Sequence, residues 1–173
     1  MLEPGDVLIT AEAIQARVAD LAEEIRAHYA EPPVLLGLMN GALFFLNDLL
    51  RCLPPEAEFQ CSTISSYAGT KSTGRIRGLD TISEGLRGRE VLVIDDVLDT
   101  GLTLSEVRAH LRKLGAGETR ICVLLRKNVE RSAEVEAHWV GFDIGEEFVV
   151  GYGLDYDGKY RSFEDIRVMR DTG

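Results

Sequence analysis

Apolar positions follow two periods along this chain. Ile14, Val18, Leu21, Ile25 and Tyr29 recur every three or four residues, which predicts an amphipathic helix over 11–29. Thr10 can cap its start, and Glu31-Pro32-Pro33 stops it. Val34-Leu35-Leu36-Gly37-Leu38 is a continuous apolar run, the pattern of a strand buried on both faces. Asn40-Gly41 is a turn signal, and 42–50 reads as the next helix. A second strand is expected over 58–67, with Phe59, Cys61, Thr63 and Tyr67 on one side and Ile64 on the other. Residues 68–74 (AGTKSTG) are small and polar, the composition of a mobile loop. After a turn at Arg87-Gly88, Val91-Leu92-Val93-Ile94 is the strongest buried-strand pattern. A helix over 102–114 ends at Gly115-Ala116-Gly117, and 121–125 is another buried strand. Short strands are expected at 140–142 and 148–152, followed by a short polar C-terminal stretch. Apolar strands alternating with helices define an α/β fold, a parallel twisted sheet with helices on both faces.

Composition narrows the class. At 173 residues, with 45% apolar and 28% charged residues, the chain has the size and balance of one folded domain. Asp and Glu total 29 against 19 Lys and Arg, a net charge of −10, which disfavours nucleic acid and anionic membrane surfaces as partners. The apolar stretch over 34–46 is interrupted by Asn40 and two glycines and is shorter than the about 20 residues a membrane-spanning helix needs. The N-terminus lacks a basic segment leading into an apolar core, so a cytoplasmic protein is expected. Cys52, Cys61 and Cys122 are odd in number and form no CxxC. Cys61 and Cys122 are expected as small core residues within strands. His28, His110 and His138 are scattered, and each is expected on the surface or on a helix face.

The densest chemistry lies in Val91-Leu92-Val93-Ile94-Asp95-Asp96-Val97-Leu98-Asp99-Thr100-Gly101-Leu102-Thr103. A buried strand runs into two adjacent carboxylates, then a third carboxylate, a hydroxyl, a glycine and a helix start. The free amides of a helix N-terminus bind anions, Gly101 permits close backbone approach, and Thr100 and Thr103 add hydroxyl donors. The segment therefore reads as a phosphate cradle. Carboxylates beside it would repel a phosphate unless they accept sugar hydroxyls, hold Mg²⁺ or move a proton. Helix capping alone would account for Asp99 and Thr100, but not for Asp95-Asp96 at the end of a buried strand.

This segment resembles the phosphoribosyl pyrophosphate motif of the type I phosphoribosyltransferases. Three further stretches resemble the hypoxanthine-guanine (6-oxopurine) branch. They are Ser65-Ser66-Tyr67 with Gly69-Thr70-Lys71-Ser72-Thr73-Gly74; Leu124-Leu125-Arg126-Lys127; and Val140-Gly141-Phe142 running on to 148–156 (FVVGYGLDY). The resemblance covers about 35–168. It implies a single type I phosphoribosyltransferase domain over 1–173, with a small hood from the terminal segments and a flexible lid loop at about 68–77.

It also implies a reaction, in which a purine base displaces pyrophosphate from phosphoribosyl pyrophosphate with Mg²⁺ as cofactor. Asp99, Thr100, Gly101, Leu102 and Thr103 would bind the 5′-phosphate, and Asp95 and Asp96 the ribose hydroxyls, directly or through the metal. Asp99 would be the catalytic acid or base near the purine N7. Met39, Asn40, Gly41 and Arg161 would hold pyrophosphate, with a non-proline cis peptide before Asn40. Lys127, Phe148, Val149 and Asp155 would surround the purine, Asp155 also taking a second Mg²⁺. Ser66 and Tyr67 would stand at the base of the lid, whose closure would exclude water. The sequence departs from the family at two positions: Asn40 stands where Lys or Arg is usual, and Asp95 where Glu is usual.

The implied partners are small molecules and a second copy of the chain, as a homodimer or homotetramer. The alternatives are a xanthine-preferring relative and a non-catalytic regulatory member of the fold. The acidic charge and the joint presence of Asp99, Lys127 and Asp155 count against the latter. A Rossmann-type cofactor site is not indicated, since no GxGxxG follows the first strand.

Overall fold

The structure, a computed structural model, describes residues 2–66 and 76–173. Tyr67 and nearly all of the expected lid loop lie outside the described residues. The elements in chain order are β1 (Leu2–Ile9), α1 (Ala11–His28), β2 (Val34–Met39), α2 (Leu43–Cys52), β3 (Phe59–Thr63), β4 (Ser65–Ser66), β5 (Ile76–Arg77), β6 (Val91–Leu98), α3 (Leu102–Leu114), β7 (Thr119–Lys127), β8 (Trp139–Ile144), β9 (Val149–Val150) and β10 (Ile166–Asp171).

Five strands form the parallel sheet, in the order β3-β2-β6-β7-β8. The period of two within each strand divides the core. Leu35, Leu92, Ile94, Cys122 and Leu124 face α1 and α2, whose Ile14, Leu21, Phe45 and Leu49 are fully buried against them. Val34, Leu36, Val91, Val93, Ile121 and Val123 face α3, meeting Leu104, Val107 and Leu111. β6 lies at the centre with a neighbour on each side, so its apolar run has no solvent-facing half. α1 is capped as expected, Thr10 Oγ1 accepting from the Ala13 amide at 3.2 Å. α3 ends on Gly115, a left-handed residue whose amide returns to the last turn.

A second sheet is antiparallel, in the order β1-β10-β9. Its two longer strands come from the N-terminal segment and from the polar C-terminal stretch. Neither was expected as a strand, because their exposed faces carry no run of apolar residues. The expected strand over 58–67 is broken at Ile64: Phe59–Thr63 joins the sheet edge, while Ser65–Ser66 pairs with β5.

One side-chain expectation is corrected. Cys61 is exposed rather than in the core, because β3 is an edge strand and Phe59 and Cys61 lie on its open flank; Cys122, on an inner strand, is buried. His138 is exposed, as expected, just before β8, and its Nδ1 accepts from the Ile121 amide at 3.1 Å. His28 is exposed but packs edge-on against Tyr29 and Trp139.

Burial, together with the nearby Arg120, holds the His138 imidazole below its ordinary pKa. Folding therefore favours its neutral form, the one whose Nδ1 accepts a hydrogen bond. The unfolded chain binds the extra proton first, so this contribution is complete above the unfolded value of about 6.5 and declines as pH falls through that value toward the folded one. His138→Asn keeps an acceptor but does not titrate. Its urea-unfolding free energy is expected to fall less between pH 7 and pH 5 than that of the wild type. Parallel profiles would remove His138 from this role.

Candidate active site

The carboxyl ends of β2, β6 and β7 open onto one side of the sheet, and the connections leaving β2 and β6 build a cavity of about 550 Å³ there. Its wall contains Met39, Asn40 and Gly41 from the β2–α2 connection, and Asp95, Asp96, Asp99, Thr100, Gly101 and Thr103 from β6 into α3. Asp155 and Arg161 come from the segment after β9. Sequence reasoning had assigned all of these. It had not assigned Ile64 and Ser65, which also line the cavity. Their position beyond the carboxyl end of a parallel strand is the signal that marks them.

The β6–α3 turn has the form of an anion cradle. Gly101 is the N-cap residue at φ +82°, and the first helical hydrogen bond runs from the Ser105 amide to the Gly101 carbonyl at 3.0 Å. The amides before Ser105 have no helical acceptor behind them. A Cβ on Gly101 would lie 2.6 Å from Val135 Cγ1. The carbonyl of Thr100 accepts from the amides of Ser132 and Ala133 at 3.0 and 3.3 Å, so the β7–β8 connection braces the cradle from outside. Leu102 begins the helix, half-buried and off the cavity wall.

Asp95 and Asp96 stand at the cavity floor. Asp95 is 9% exposed; its Oδ1 accepts from the Asp96 amide at 3.0 Å, and Asp96 Oδ1 accepts from the Val97 amide at 2.8 Å. Burial raises both carboxyl pKa values. The negative charge of Asp96 pushes Asp95 well above the usual range, whereas hydrogen bonds to Asp96 restrain its rise. Gly41 lies directly over Asp96, so close that a Cβ there would collide with the carboxylate. The peptide bond between Met39 and Asn40 is cis, as the resemblance implied.

Two ion pairs border the cavity. Arg161 Nη2 meets Asp155 Oδ1 at 2.7 Å, while its Nη1 donates to the Gly153 carbonyl at 2.6 Å. The Lys127 ammonium reaches Asp99 Oδ2 at 3.4 Å. Lys127 is thus brought to the edge of the cavity through Asp99, although it does not line the wall. Phe148 and Val149 are also off the wall. Val149 is buried in β9, and Phe148 is 46% exposed with its ring edge-on to Tyr156 at 5.8 Å. Ser66 is in β4, opposite Ile76.

Chemically, the arrangement can bind a phosphate on backbone amides, accept hydroxyls or a hard cation on carboxylates, and place a carboxylate and an ammonium at one edge. Oxygen donors suit Mg²⁺. Among the described residues no three His, Cys, Asp or Glu side chains converge as a protein-only cage. Mg²⁺ commonly takes one or two carboxylates and completes its shell with water and substrate phosphate oxygens. The donors present fit an ion held in that way.

Comparison with known proteins places this constellation. The phosphoribosyl transferase domain model matches residues 8–157, so the chain belongs to the phosphoribosyl transferase family. Its relatives lie on the hypoxanthine-guanine branch. The chain is 43% identical to the hypoxanthine-guanine phosphoribosyltransferase of Mycobacterium avium, over 97% of this chain and 88% of that protein. It is 37% identical to the Bacillus subtilis enzyme of the same name, over 95% and 92%. A crystal structure of a hypoxanthine phosphoribosyltransferase from Staphylococcus aureus superposes with a TM-score of 0.89 at 34% identity, covering 96% of this chain and 92% of that one. The Trypanosoma cruzi hypoxanthine phosphoribosyltransferase in complex with the product IMP gives a TM-score of 0.86 at 32% identity, covering 96% and 95%. The fold is that of the type I phosphoribosyltransferases.

The crowding at Gly101 is separable from its backbone strain. Gly88 has a similar φ of +71° but open space around it. Gly88→Ala is expected to lose about 1–2 kcal/mol from the left-handed backbone alone. Gly101→Ala should lose about 1–3 kcal/mol more from overpacking against Val135. Urea denaturation of the two variants measures the difference, and equal losses would show that the cradle has room to relax.

Proposed function

We propose that the cavity joins a 6-oxopurine base, hypoxanthine or guanine, to the ribose of phosphoribosyl pyrophosphate, yielding IMP or GMP and pyrophosphate. The observation that carries this reading is the convergence on one cavity of an amide-lined helix start, a buried pair of carboxylates, and an Arg–Asp pair on the opposite wall. A substrate with a phosphate at one end, a sugar diol in the middle and a pyrophosphate at the other meets each of these in turn.

In this reading Thr100, Gly101, Leu102 and Thr103 receive the 5′-phosphate on the backbone amides of the turn, with the Thr100 and Thr103 hydroxyls adding donors. Asp95 and Asp96 accept the ribose hydroxyls. Met39, Asn40, Gly41 and Arg161 hold the pyrophosphate. Asp96 and Asp155 would hold Mg²⁺, with Asp95 beside them. When bound, the ion would offset negative charge on the departing pyrophosphate. The bond from C1′ to pyrophosphate breaks as the bond to the base nitrogen forms, and the base must then lose its N–H proton. Asp99 is placed to take it. Lys127, 3.4 Å from Asp99, donates to the exocyclic oxygen of the base and keeps the carboxylate oriented. Phe148 stacks on the purine, and Val149 offers backbone groups to its edge.

We also take the chain to act as one phosphoribosyltransferase domain, in the cytoplasm, as a homodimer or homotetramer. Among the described residues, no helix is long and apolar enough to cross a membrane.

The test is a panel of hypoxanthine, guanine and xanthine, each with phosphoribosyl pyrophosphate and with or without Mg²⁺. IMP and GMP are expected to form only with the metal. No nucleotide from any base would overturn the reading, and nucleotide from xanthine alone would move it to the xanthine-preferring relative. Asp99→Asn should retain IMP binding by calorimetry while losing about a hundredfold or more in turnover. Unchanged turnover would remove Asp99 from proton transfer.

A further inference from the structure

The segment bearing Asp155 and Arg161 packs against the body of the protein at Gly151, Tyr152 and Gly153. Gly151, Tyr152 and Gly153 all have positive φ, +101°, +49° and +100°. For Tyr152 that conformation is strained, and it persists only where surrounding contacts hold it. Those contacts are specific. The Tyr152 ring is 3% exposed and lies 6.1 Å from the Phe44 ring. Its hydroxyl donates to Asp48 Oδ2 at 2.7 Å. Gln15 Nε2, from α1, donates to the same oxygen at 2.8 Å, and Asn47 Nδ2 to Oδ1 at 2.9 Å. Asp48 therefore stands on α2 and gathers three donors from three segments of the chain.

The consequence lies one residue further on. Gly153 is pressed against the carbonyl of Gly41 so closely that no Cβ fits, and Gly41 is pressed in the same way onto the Asp96 carboxylate. Asp96, Gly41 and Gly153 thus form a stack running from the cavity floor to the far wall. From Gly153 the order extends outward. Its amide donates to the Arg161 carbonyl at 2.9 Å, its carbonyl accepts from Arg161 Nη1, and Arg161 holds Asp155. The height of Gly153 on this stack decides where Asp155 and Arg161 sit relative to Asp96.

We infer that Asp48 and Tyr152 are positioning residues: their buried hydrogen bond clamps Gly153 onto Gly41 and so sets the far wall of the cavity against its floor. Neither side chain touches the cavity that holds the substrate. Burial and the adjacent carboxylate keep the Tyr152 hydroxyl protonated, so it remains a donor across the working range of pH. The inference rests on the proposed function in one respect, that Asp155 and Arg161 serve the pyrophosphate side of the substrate.

The experiment compares Tyr152→Phe, Asp48→Ala and Asp48→Asn with the wild type by steady-state kinetics, varying phosphoribosyl pyrophosphate and hypoxanthine separately. Tyr152→Phe removes only the hydroxyl and leaves the ring in its pocket. Asp48→Asn keeps an oxygen to accept from Tyr152 and Gln15. The expected result is a rise in KM for phosphoribosyl pyrophosphate of about tenfold in Tyr152→Phe and in Asp48→Ala, the size of one lost hydrogen bond to a charged group. KM for hypoxanthine should stay within twofold, and Asp48→Asn should restore most of the loss. The double variant Tyr152→Phe with Asp48→Ala should be no worse than the poorer single variant, because both break one bond. Equal changes in both KM values, a loss tracking only the fall in Tm, additive losses in the double variant, or Asp48→Asn behaving like Asp48→Ala would each overturn the clamp. A wild type active on phosphoribosyl pyrophosphate but with unaltered variants overturns this inference alone. An inactive wild type overturns the proposed function and the inference with it.

Discussion

Two carboxylates buried side by side at the end of the central strand are the constraint around which the structure is arranged. A lone buried carboxylate is costly, and a second one beside it adds repulsion. The fold meets this cost locally. The backbone amides of Asp96 and Val97 donate to the two side chains, and burial together with the charge of Asp96 raises the Asp95 pKa well above the usual carboxylate range. Arg161 contributes a positive charge from the far wall. The sheet supplies the rigidity: β6 has a paired strand on each side and helices on both faces, so the backbone that carries the carboxylates is fixed. Such a pair is ill suited to stability and well suited to binding a sugar diol or a hard cation.

The glycines around that pair follow from it. Gly41 has no room for a side chain because the Asp96 carboxylate fills the space, and Gly153 has none because Gly41 does. On the other side, Gly101 turns the chain in the left-handed region and packs on Val135, so the β6–α3 turn is braced by the β7–β8 connection. Floor, far wall and cradle are therefore three backbone approaches that tolerate no Cβ. Side-chain chemistry is placed by backbone contact, which fixes positions more tightly than long side chains would.

The parts legible in the sequence were those with a local cause. Continuous apolar runs at Val34–Leu38 and Val91–Ile94 marked strands because burial on both faces demands them, and Leu102–Leu114 was read to the residue because Gly101 and Gly115 bound it. The β6–α3 turn was legible because a strand, a glycine turn and a helix start are contiguous. What escaped was non-local. β1 and β10 pair across almost the whole length of the chain, and their polar faces carry no strand periodicity. Cys61 was misread because a strand's sequence does not reveal whether it lies at an edge. The hydrogen bond of the exposed His138 was not legible because its partner amide is 17 residues away. Asp48 and Tyr152 are 104 residues apart and neither belongs to a motif, so only the fold brings them together.

The charge of the chain takes on a different sense once the site is seen. A net charge of −10 argues against a partner that must be held over a broad anionic surface, but a small anion experiences only its immediate surroundings. At the cavity those surroundings are mixed. Two cations at its border are paired with carboxylates, Lys127 with Asp99 and Arg161 with Asp155. Asn40, where the resemblance leads one to expect Lys or Arg, adds no charge. The backbone amides at the start of α3 add an attraction for phosphate that comes from partial rather than full charge. A substrate bearing a phosphate and a pyrophosphate must either draw Arg161 and Lys127 away from their partners or arrive with its own cation. The oxygen-rich wall of Asp95, Asp96 and Asp155 favours the second course, because a metal brought by the substrate turns three repulsive carboxylates into attractive ones. On the proposed function, the acidity of the site would favour a metal-bound polyanion over a bare one.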